Sequence, residues 1–178
     1  GTARVWDAAS GQPVSPFLEH TSPVRQTAFS PDEKQLATAA LDGTVRRFSL
    51  HPEANLKTLK ASGPKIMWGD VSPDGRWAAL SLGGQVQLWD LQEGRLLKSA
   101  PGGGFLRFSP DGRQLLGAAK DFQRWSLPDL NPLGAAVPLA SEAYCVQLSD
   151  DGRWFAIGSS GGGVSLWDVA TGQPGPEQ

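Results

Sequence analysis

Serine and glycine at residues 158–162 (GSSGG) are spaced as in the catalytic motif G-x-S-x-G. In a hydrolase this motif forms a nucleophile elbow, a sharp turn between a strand and a helix. In this sequence the strand-like run WFAIGS precedes the motif and a second strand-like run, VSLWDV, follows it. A turn between two strands is therefore the favoured interpretation, and we predict no catalytic residue at this motif.

The histidines, the cysteine and the paired aspartates give no spacing that predicts a metal centre or an acid–base pair. A zinc site needs three or four nitrogen, sulfur or carboxylate ligands, whereas His20, His51 and Cys145 are scattered along the chain. His51 precedes a Pro-Glu pair in a predicted loop, and Asp150-Asp151 falls in a predicted turn. The composition permits a Ser-His-Asp triad, but no spacing places one. We expect no metal, no cofactor and no enzymatic activity.

Composition and charge restrict the classes of partner. The 178 residues include 16 Lys and Arg and 18 Asp and Glu, which gives a net charge of −2 and no basic face for nucleic acid. Glycines 102–104 lack the following helix and Lys-Ser/Thr of a phosphate cradle, so a loop is expected. No apolar run reaches the length of a membrane span. With one cysteine, Cys145, expected to be a buried free thiol, we predict a cytoplasmic protein.

Two landmarks recur along the chain at a nearly constant spacing. A turn of the type Ser-Pro-Asp-Gly begins at Ser30, Ser72, Ser109 and Ser149, which gives spacings of 42, 37 and 40 residues. An aromatic residue recurs at Trp6, Phe48, Trp89, Trp125 and Trp167, with spacings of 42, 41, 36 and 42 residues. A period near 40 residues with strand-like runs and no helical pattern is typical of the blades of a β-propeller.

Each period contains the residues of two tight turns and of four strands. In the first turn Pro fixes φ, Asp bonds to the backbone and Gly accepts the left-handed conformation. The second turn contains Asp-Gly or Gly-Gly pairs, which favour hairpins. The run at 86–89 (VQLW) alternates apolar and polar residues, as a half-buried strand does, and a weaker run follows at 95–99. The sequence therefore predicts an all-β fold with about four blades of four antiparallel strands.

The segments DGTVRRFSL (42–50), GGQVQLWDL (83–91) and GGVSLWDV (162–169) resemble the third strand of WD40 repeats. The segments VRQTAFSPDE (24–33) and FLRFSPDG (105–112) are similar to the first strand and hairpin of that family. The opening segment ARVWDAASGQPV is similar to bacterial WD40 arrays. The resemblance extends from residue 1 to about residue 170 and implies a WD40-like β-propeller, partial or small.

The resemblance also divides the chain into units. Residues 1–178 are expected to form one propeller segment, with a partial blade at 1–18 and units at 19–60, 61–99, 100–139 and 140–170. The sequence opens inside a third strand and closes before a fourth. We therefore expect a slice of a longer propeller, and a closed ring of four blades is the alternative.

WD40 repeats often contain a buried network of His, Ser or Thr, Asp and Trp. The resemblance assigns His20 and Asp42 to this network, with Thr38 or a neighbour as the hydroxyl. Phe48 replaces the tryptophan, and no unit has the complete set, so we expect blades held mainly by apolar packing. Structural roles between sheets are expected for the recurring aromatic residues, Trp6, Phe48, Trp89, Trp125 and Trp167.

Alignment of the repeats with one another shows which positions vary where the chain enters each first strand. Arg25, Met67 and Tyr144 share one variable position, Lys65 lies two residues before Met67, and Trp68 follows it. Leu41 and Lys120, in the next turn, are expected to face the same way, which in this family is the top rim. Loops on a rigid scaffold carry binding, so these seven residues are our binding candidates. The alternative is that Met67 and Trp68 belong to the core and that the others have no partner.

The function favoured by this sequence is a non-catalytic scaffold that binds a protein or peptide through the propeller rim. Self-association through open blade edges is also expected, since unpaired edges invite pairing. Two alternatives remain open. One is an accessory propeller of a larger kinase-linked or peptidase-linked enzyme, and the other is a propeller that binds a small molecule or sugar.

Overall fold

Every regular element of the structure is a β-strand. The computed structural model describes residues 1–30, 33–50, 57–60 and 65–175, and these ranges contain no helix. The turn residues Pro31 and Asp32 and the predicted loop at His51 lie outside the described residues. Within those ranges, no helix has the length and apolar character that a membrane crossing requires.

The strands of the described residues form five antiparallel sheets, numbered in chain order. Sheet 1 contains β1 (Thr2–Ala3) and β2 (Leu18–Glu19). Sheet 2 contains β3 (Val24–Phe29), β4 (Gln35–Ala40), β5 (Thr44–Ser49) and β6 (Lys57–Lys60). Sheet 3 contains β7 (Ile66–Val71), β8 (Trp77–Leu82), β9 (Gln85–Asp90) and β10 (Arg95–Pro101). In sheets 2 and 3 the spatial order is the order of the chain.

The last two sheets depart from four simple strands. Sheet 4 contains β11 (Phe105–Phe108), β12 (Gln114–Ala118), β13 (Asp121–Ser126), β14 (Asn131–Pro132) and β15 (Val137–Pro138). Both β14 and β15 pair with β13, so two short strands share the place of a fourth strand. Sheet 5 contains β16 (Ala143–Leu148), β17 (Trp154–Ser159) and β18 (Val164–Asp168).

The Ser-Pro-Asp-Gly turns connect the first and second strands of sheets 3, 4 and 5. In sheet 3 the Ser72 hydroxyl donates to Asp74 at 2.6 Å and accepts the Trp77 N–H at 2.8 Å. Gly75 adopts a φ of 69°, in the left-handed region that favours glycine. The same hydroxyl-to-carboxylate bond recurs at Ser109 with Asp111 and at Ser149 with Asp151. The turn prediction is confirmed in these three sheets.

Apolar side chains fill the space between successive sheets. In β8, Ala78 packs in the core that sheet 3 shares with sheet 2, and Ala79 packs in the core shared with sheet 4. In β12, Leu115 packs towards sheet 3 and Leu116 packs towards sheet 5. Successive residues of a strand point to opposite faces. Each middle strand therefore supplies two cores.

The recurring aromatic residues of the third strands pack against the preceding sheet. Trp89 lies in the core shared with sheet 2, Trp125 in the core shared with sheet 3, and Trp167 in the core shared with sheet 4. Phe48 is half-buried against sheet 1. Trp6 differs, because 54% of it is exposed and no described sheet covers it. The structural role expected for Trp6 stays a prediction.

The first strands line one side of the stack. In this row β7 contacts β3 and β11, and β11 also contacts β16. This is the arrangement of the inner strands of a propeller. The predicted all-β architecture of about four propeller-like antiparallel sheets is confirmed.

Cys145 lies on β16 and is exposed. The prediction of a buried thiol is wrong. The sequence places it in an apolar strand, but its side chain lies on a face of sheet 5 that no described residue covers.

The core between sheets 4 and 5 offers a test of this packing. Phe155 is fully buried, with its ring centroid 5.5 Å from that of Phe122, whereas Phe29 is 53% exposed. We expect Phe155→Ala to lower the free energy of unfolding by about 3–5 kcal/mol because it opens a cavity. Phe29→Ala, the same change on an exposed strand, is expected to cost less than about 0.5 kcal/mol. Urea unfolding of both variants measures the difference, and equal losses would contradict the stacked arrangement.

Candidate binding rim

A β-bulge lies near the start of three of the four inner strands. The pairing register shifts between Val24 and Gln26 in β3, between Ile66 and Trp68 in β7, and between Ala143 and Cys145 in β16. The residues at the shifts are Arg25, Met67 and Tyr144, named here the bulge residues. A bulge bends its strand and redirects a side chain. All three bulge residues are exposed, Met67 to 52% and Tyr144 to 75%.

The fourth inner strand has glycine at the equivalent position. Gly104 precedes β11, has a φ of 83°, and donates its N–H to the Ser81 hydroxyl at 2.8 Å. A Cβ built on Gly104 would lie 2.1 Å from the Ala118 carbonyl oxygen. Glycine is therefore required for the chain to lie this close to sheet 4. At this position the rim carries no side chain, and open space lies beside it.

That space is a groove of about 480 Å³ that crosses from sheet 3 to sheet 5. Its apolar wall contains Met67, Trp68 and Phe105. The rings of Trp68 and Phe105 stack, with centroids 4.1 Å apart and planes inclined by 33°. The turn at Gly83 and Gly84 borders the groove on sheet 3.

Two polar contacts of Asp70 fix β7 against β11 beneath this ring stack. One oxygen of the carboxylate accepts the Phe108 N–H at 2.9 Å, and the other lies 3.9 Å from the Arg107 guanidinium. Asp70 lies two residues beyond Trp68, and Arg107 lies two residues beyond Phe105. Residues two apart share a strand face. The polar pair therefore positions the aromatic pair.

The far wall of the groove is charged. Lys120, Asp121 and Glu142 line it. The Lys120 ammonium lies 3.7 Å from the Glu142 carboxylate, and both side chains are largely exposed. A surface ion pair of this kind contributes little stability. Both groups are therefore available to a ligand.

The structure brings three of the seven predicted binding residues into this groove, namely Met67, Trp68 and Lys120. The other four, Arg25, Leu41, Lys65 and Tyr144, do not line it. Leu41 is half-buried and donates its N–H to the Pro23 carbonyl at 3.0 Å. Sequence reasoning missed Phe105, because it sits in an apolar strand, and Asp121 and Glu142, because isolated carboxylates give no motif.

His20 and Asp42 belong to one polar network, but Thr44 lies between them. The His20 ring bonds to Thr38 at 2.6 Å through Nε2 and approaches the Thr44 hydroxyl at 3.4 Å through Nδ1. Thr44 donates to Asp42 at 2.6 Å. The predicted pairing of His20 with Asp42 is therefore indirect, and Thr38 is the hydroxyl that the resemblance implied. The rings of His20 and Phe48 also make an edge-to-face contact, with centroids 6.1 Å apart.

The electrostatics of this network favour a neutral His20 and an ionised Asp42. Burial and the Arg46 guanidinium lower the pKa of His20 below its usual value. Burial alone would raise the pKa of Asp42, but hydrogen bonds from Thr21, Thr44 and Ser22 outweigh burial and hold that pKa well below its usual range. These protonation states suit a structural network that does not change charge near neutral pH.

The tryptophans of the third strands of sheets 3 and 5 use nearby partners on their own strands. The Trp89 indole donates to the Gln87 side chain at 3.0 Å, and the Trp167 indole donates to the Ser165 hydroxyl at 3.0 Å. Both partners lie two residues earlier, on the same strand face. Each of these indole N–H groups has no histidine-linked network and finds its hydrogen-bond acceptor on its own strand, as buried polar groups require.

The motif at residues 158–162 forms a hairpin turn. Strand β17 leads into it and β18 leaves it, and the Gly162 N–H donates to the Ser159 carbonyl at 3.0 Å. The Ser149–Asp151 turn likewise places Asp150 and Asp151 in a hairpin. Among the described residues, no group of three or more His, Cys, Asp or Glu side chains could hold a metal ion.

Comparison with known proteins identifies the repeat. The family model for the WD domain, G-beta repeat, matches residues 11–49 and 140–168. The chain is 28% identical to telomerase protein component 1 of Mus musculus over 99% of its own length and 7% of that protein. It is 30% identical to the SIR4-interacting protein SIF2 of Saccharomyces cerevisiae over 52% of its length and 17% of that protein. It is 28% identical to THO complex subunit 3 of Arabidopsis thaliana over 95% of its length and 57% of that protein.

The chain thus spans less than two thirds of each of these relatives. All three relatives are eukaryotic, so the bacterial character expected from the opening segment stays a prediction.

The Asp70 contacts generate a pH-dependent prediction. Burial raises the pKa of the Asp70 carboxyl, and the Phe108 N–H and Arg107 offset only part of that effect. The native state therefore favours the protonated form of Asp70 more than the unfolded state does. This contribution to stability is complete below the unfolded pKa of about 3.9 and is lost as the pH rises through the higher folded pKa.

We therefore expect the stability of the natural chain relative to Asp70→Asn to fall as the pH rises from about 4 towards neutral, because the amide keeps an acceptor and does not ionise. Urea unfolding across that range measures it. Asp129→Asn, at an exposed position, controls for the loss of one charge. A constant difference between the natural chain and Asp70→Asn would contradict the assignment.

Proposed function

This chain is a WD40-repeat protein, and we propose that it is a non-catalytic scaffold that binds a protein or peptide partner through its rim. The observation that carries the proposal is the row of bulges that exposes Arg25, Met67 and Tyr144 at the entrances of three inner strands. Tyr, Met and Arg are enriched among residues at interfaces. A rigid set of strands holds these side chains in fixed positions.

The names of the relatives support an assembly role. One relative is named as a component of telomerase, one as a subunit of the THO complex, and one as a protein that interacts with SIR4. Each name describes membership of, or contact with, a larger assembly. A scaffold whose interface lies on strand ends and loops fits that kind of role.

A triple substitution tests rim binding. We expect the R25A/M67A/Y144A variant to lose at least tenfold in affinity for its captured partner, because truncating interface anchors costs more than about 1.4 kcal/mol in total. The partner is captured with the natural chain, identified by mass spectrometry, purified and titrated against both proteins. The control variant R95A/L96A/K98A changes three exposed residues on β10. Equal affinity for the natural chain and the rim variant would reject rim binding.

The outer face of sheet 5 supports a second proposal, self-association. Val164 is 76% exposed, whereas the residues at the same position of the other third strands, Val45, Val86 and Phe122, are buried against the next sheet. Leu166, on the same strand, is 40% exposed. Next to the strands of sheet 1, Phe17 and Trp6 are also exposed. A second copy of the chain can cover these apolar faces, as successive sheets cover one another within the chain.

Light scattering after size-exclusion chromatography tests this proposal. We expect residues 1–178 to show a mass above the 18.9 kDa of one chain, with the excess growing with concentration, because association buries exposed apolar area. The V164E/L166E variant is expected to return the mass to one chain, since it places charges on that face. Leu96→Glu, at an exposed leucine of β10, is the control. A single-chain mass for the natural sequence at every concentration would refute self-association.

A further inference from the structure

We infer that the groove between sheets 3 and 5 binds an extended peptide segment that carries a Lys or Arg next to an apolar residue. This inference rests on the proposed rim function and names the chemistry of the partner. Three observations support it: the aromatic wall, the excess of carboxylates on the opposite wall, and the glycine floor between them.

The charge of the groove selects a cationic side chain. Of the three charged groups that line it, Asp121 and Glu142 are negative and Lys120 is positive, a net charge of −1. Lys120 already approaches Glu142 at 3.7 Å. Among the described residues, no side chain is seen to donate a hydrogen bond to the Asp121 carboxylate. A ligand cation can therefore bind Asp121 directly, whereas a phosphate would meet net repulsion.

The aromatic wall suits the stem of the same side chain. The stacked pair of Trp68 and Phe105 is half-exposed and borders the groove. Lys and Arg place their methylene stems on apolar surface while the charged head reaches a polar partner. Their cations are also attracted to aromatic faces. An apolar neighbour in the peptide would contact Met67, which is exposed beside Trp68.

The length and floor of the groove favour an extended chain. The lining runs from the Gly83–Gly84 turn of sheet 3, across sheet 4, to Glu142 at the entrance of sheet 5. A Cβ at Gly103 would lie 2.7 Å from the Ser81 hydroxyl, so the close packing of the floor on sheet 3 requires glycine there. A peptide backbone can therefore lie across the floor and place alternate side chains on the two walls.

Gly84 offers a gain-of-function test with little risk to the fold. It is exposed, has a φ of 77°, and a Cβ built on it meets no atom within 4 Å. Asn and Asp are the side-chain residues that best tolerate this backbone conformation. Gly84→Asp adds a carboxylate at the groove, and Gly84→Asn adds a side chain of the same shape without the charge. The pair isolates the effect of charge.

The probe is an array of acetylated nonapeptides whose central residue is Arg, Lys, Gln or Glu, flanked by Leu or Phe, with the outer positions randomised. We expect peptides with Arg or Lys at the centre to bind about fivefold more tightly than those with Gln, as for one partly exposed ion pair. Fluorescence polarisation of the tightest peptides then gives affinities. Gly84→Asp is expected to bind them about threefold more tightly than Gly84→Asn, and Asp121→Asn about threefold more weakly than the natural chain.

The outcomes separate this inference from rim binding in general. Equal binding of the Arg, Gln and Glu peptides overturns the inference, and so does equal affinity of Gly84→Asp and Gly84→Asn. In that case, if the captured partner still binds the R25A/M67A/Y144A variant more weakly than the natural chain, the proposed rim function stands and only the charge preference is rejected. Absence of binding in every pool also overturns the inference, whatever the capture experiment gives. Trp68→Ala, expected to lose about thirtyfold, is interpreted only if its melting curve matches that of the natural chain.

Discussion

Apolar packing between successive sheets is the constraint on which the other features depend. A sheet of three or four strands has two apolar faces and cannot bury both by itself, so each sheet needs a neighbour on either side. The size of the side chains follows from this requirement. Ala78 lies directly opposite Trp89 across the strand pair, and a Cβ on Gly117 would lie 2.8 Å from the Trp125 ring. At these two positions a small residue on the second strand leaves room for the ring on the third, whereas in sheet 5 the large Phe155 lies opposite Trp167.

The packing between sheets also determines the geometry of the rim. Middle strands that serve two cores cannot shift without disturbing both, so β7 and β11 present their ends at fixed positions. The bulges then turn Met67 and Tyr144 away from the sheets at the points where the chain enters them. Exposed apolar side chains in these positions do not disturb the core, because strand pairing resumes after each bulge with the register shifted by one residue. Exposed rim residues and core residues can therefore lie next to each other in the sequence.

The sequence predicted the parts of the fold that depend on local chemistry. The Ser72 turn, with its Asp and Gly, has strong local preferences, and so does the ring of Trp89. The spacing of such residues along the chain therefore predicted the sheets and their stacking. The bulge at Met67 has no sequence signal, because a register shift appears only when two strands pair. The stack of Trp68 on Phe105 joins residues 37 positions apart in different sheets. The exposure of Cys145 was mispredicted because its apolar strand implies a covering sheet that the described residues do not supply.

Directional polar bonds fix the relative rotation of the sheets, which apolar packing alone does not determine. Hydrophobic contacts are non-directional and would allow one sheet to rotate slightly on the next. Asp70 ties β7 to β11 through the Phe108 N–H, and Arg124 of sheet 4 donates to the carbonyl oxygens of Val169 and Ala170, at 2.6 and 2.8 Å, beyond sheet 5.

These ties join sheets 3, 4 and 5, the same sheets that the groove crosses. A groove that spans three sheets keeps its shape only if their relative rotation is fixed. The polar ties therefore fix the sheets that form the groove. The residues that make these ties do not repeat from sheet to sheet, unlike the residues that make the core.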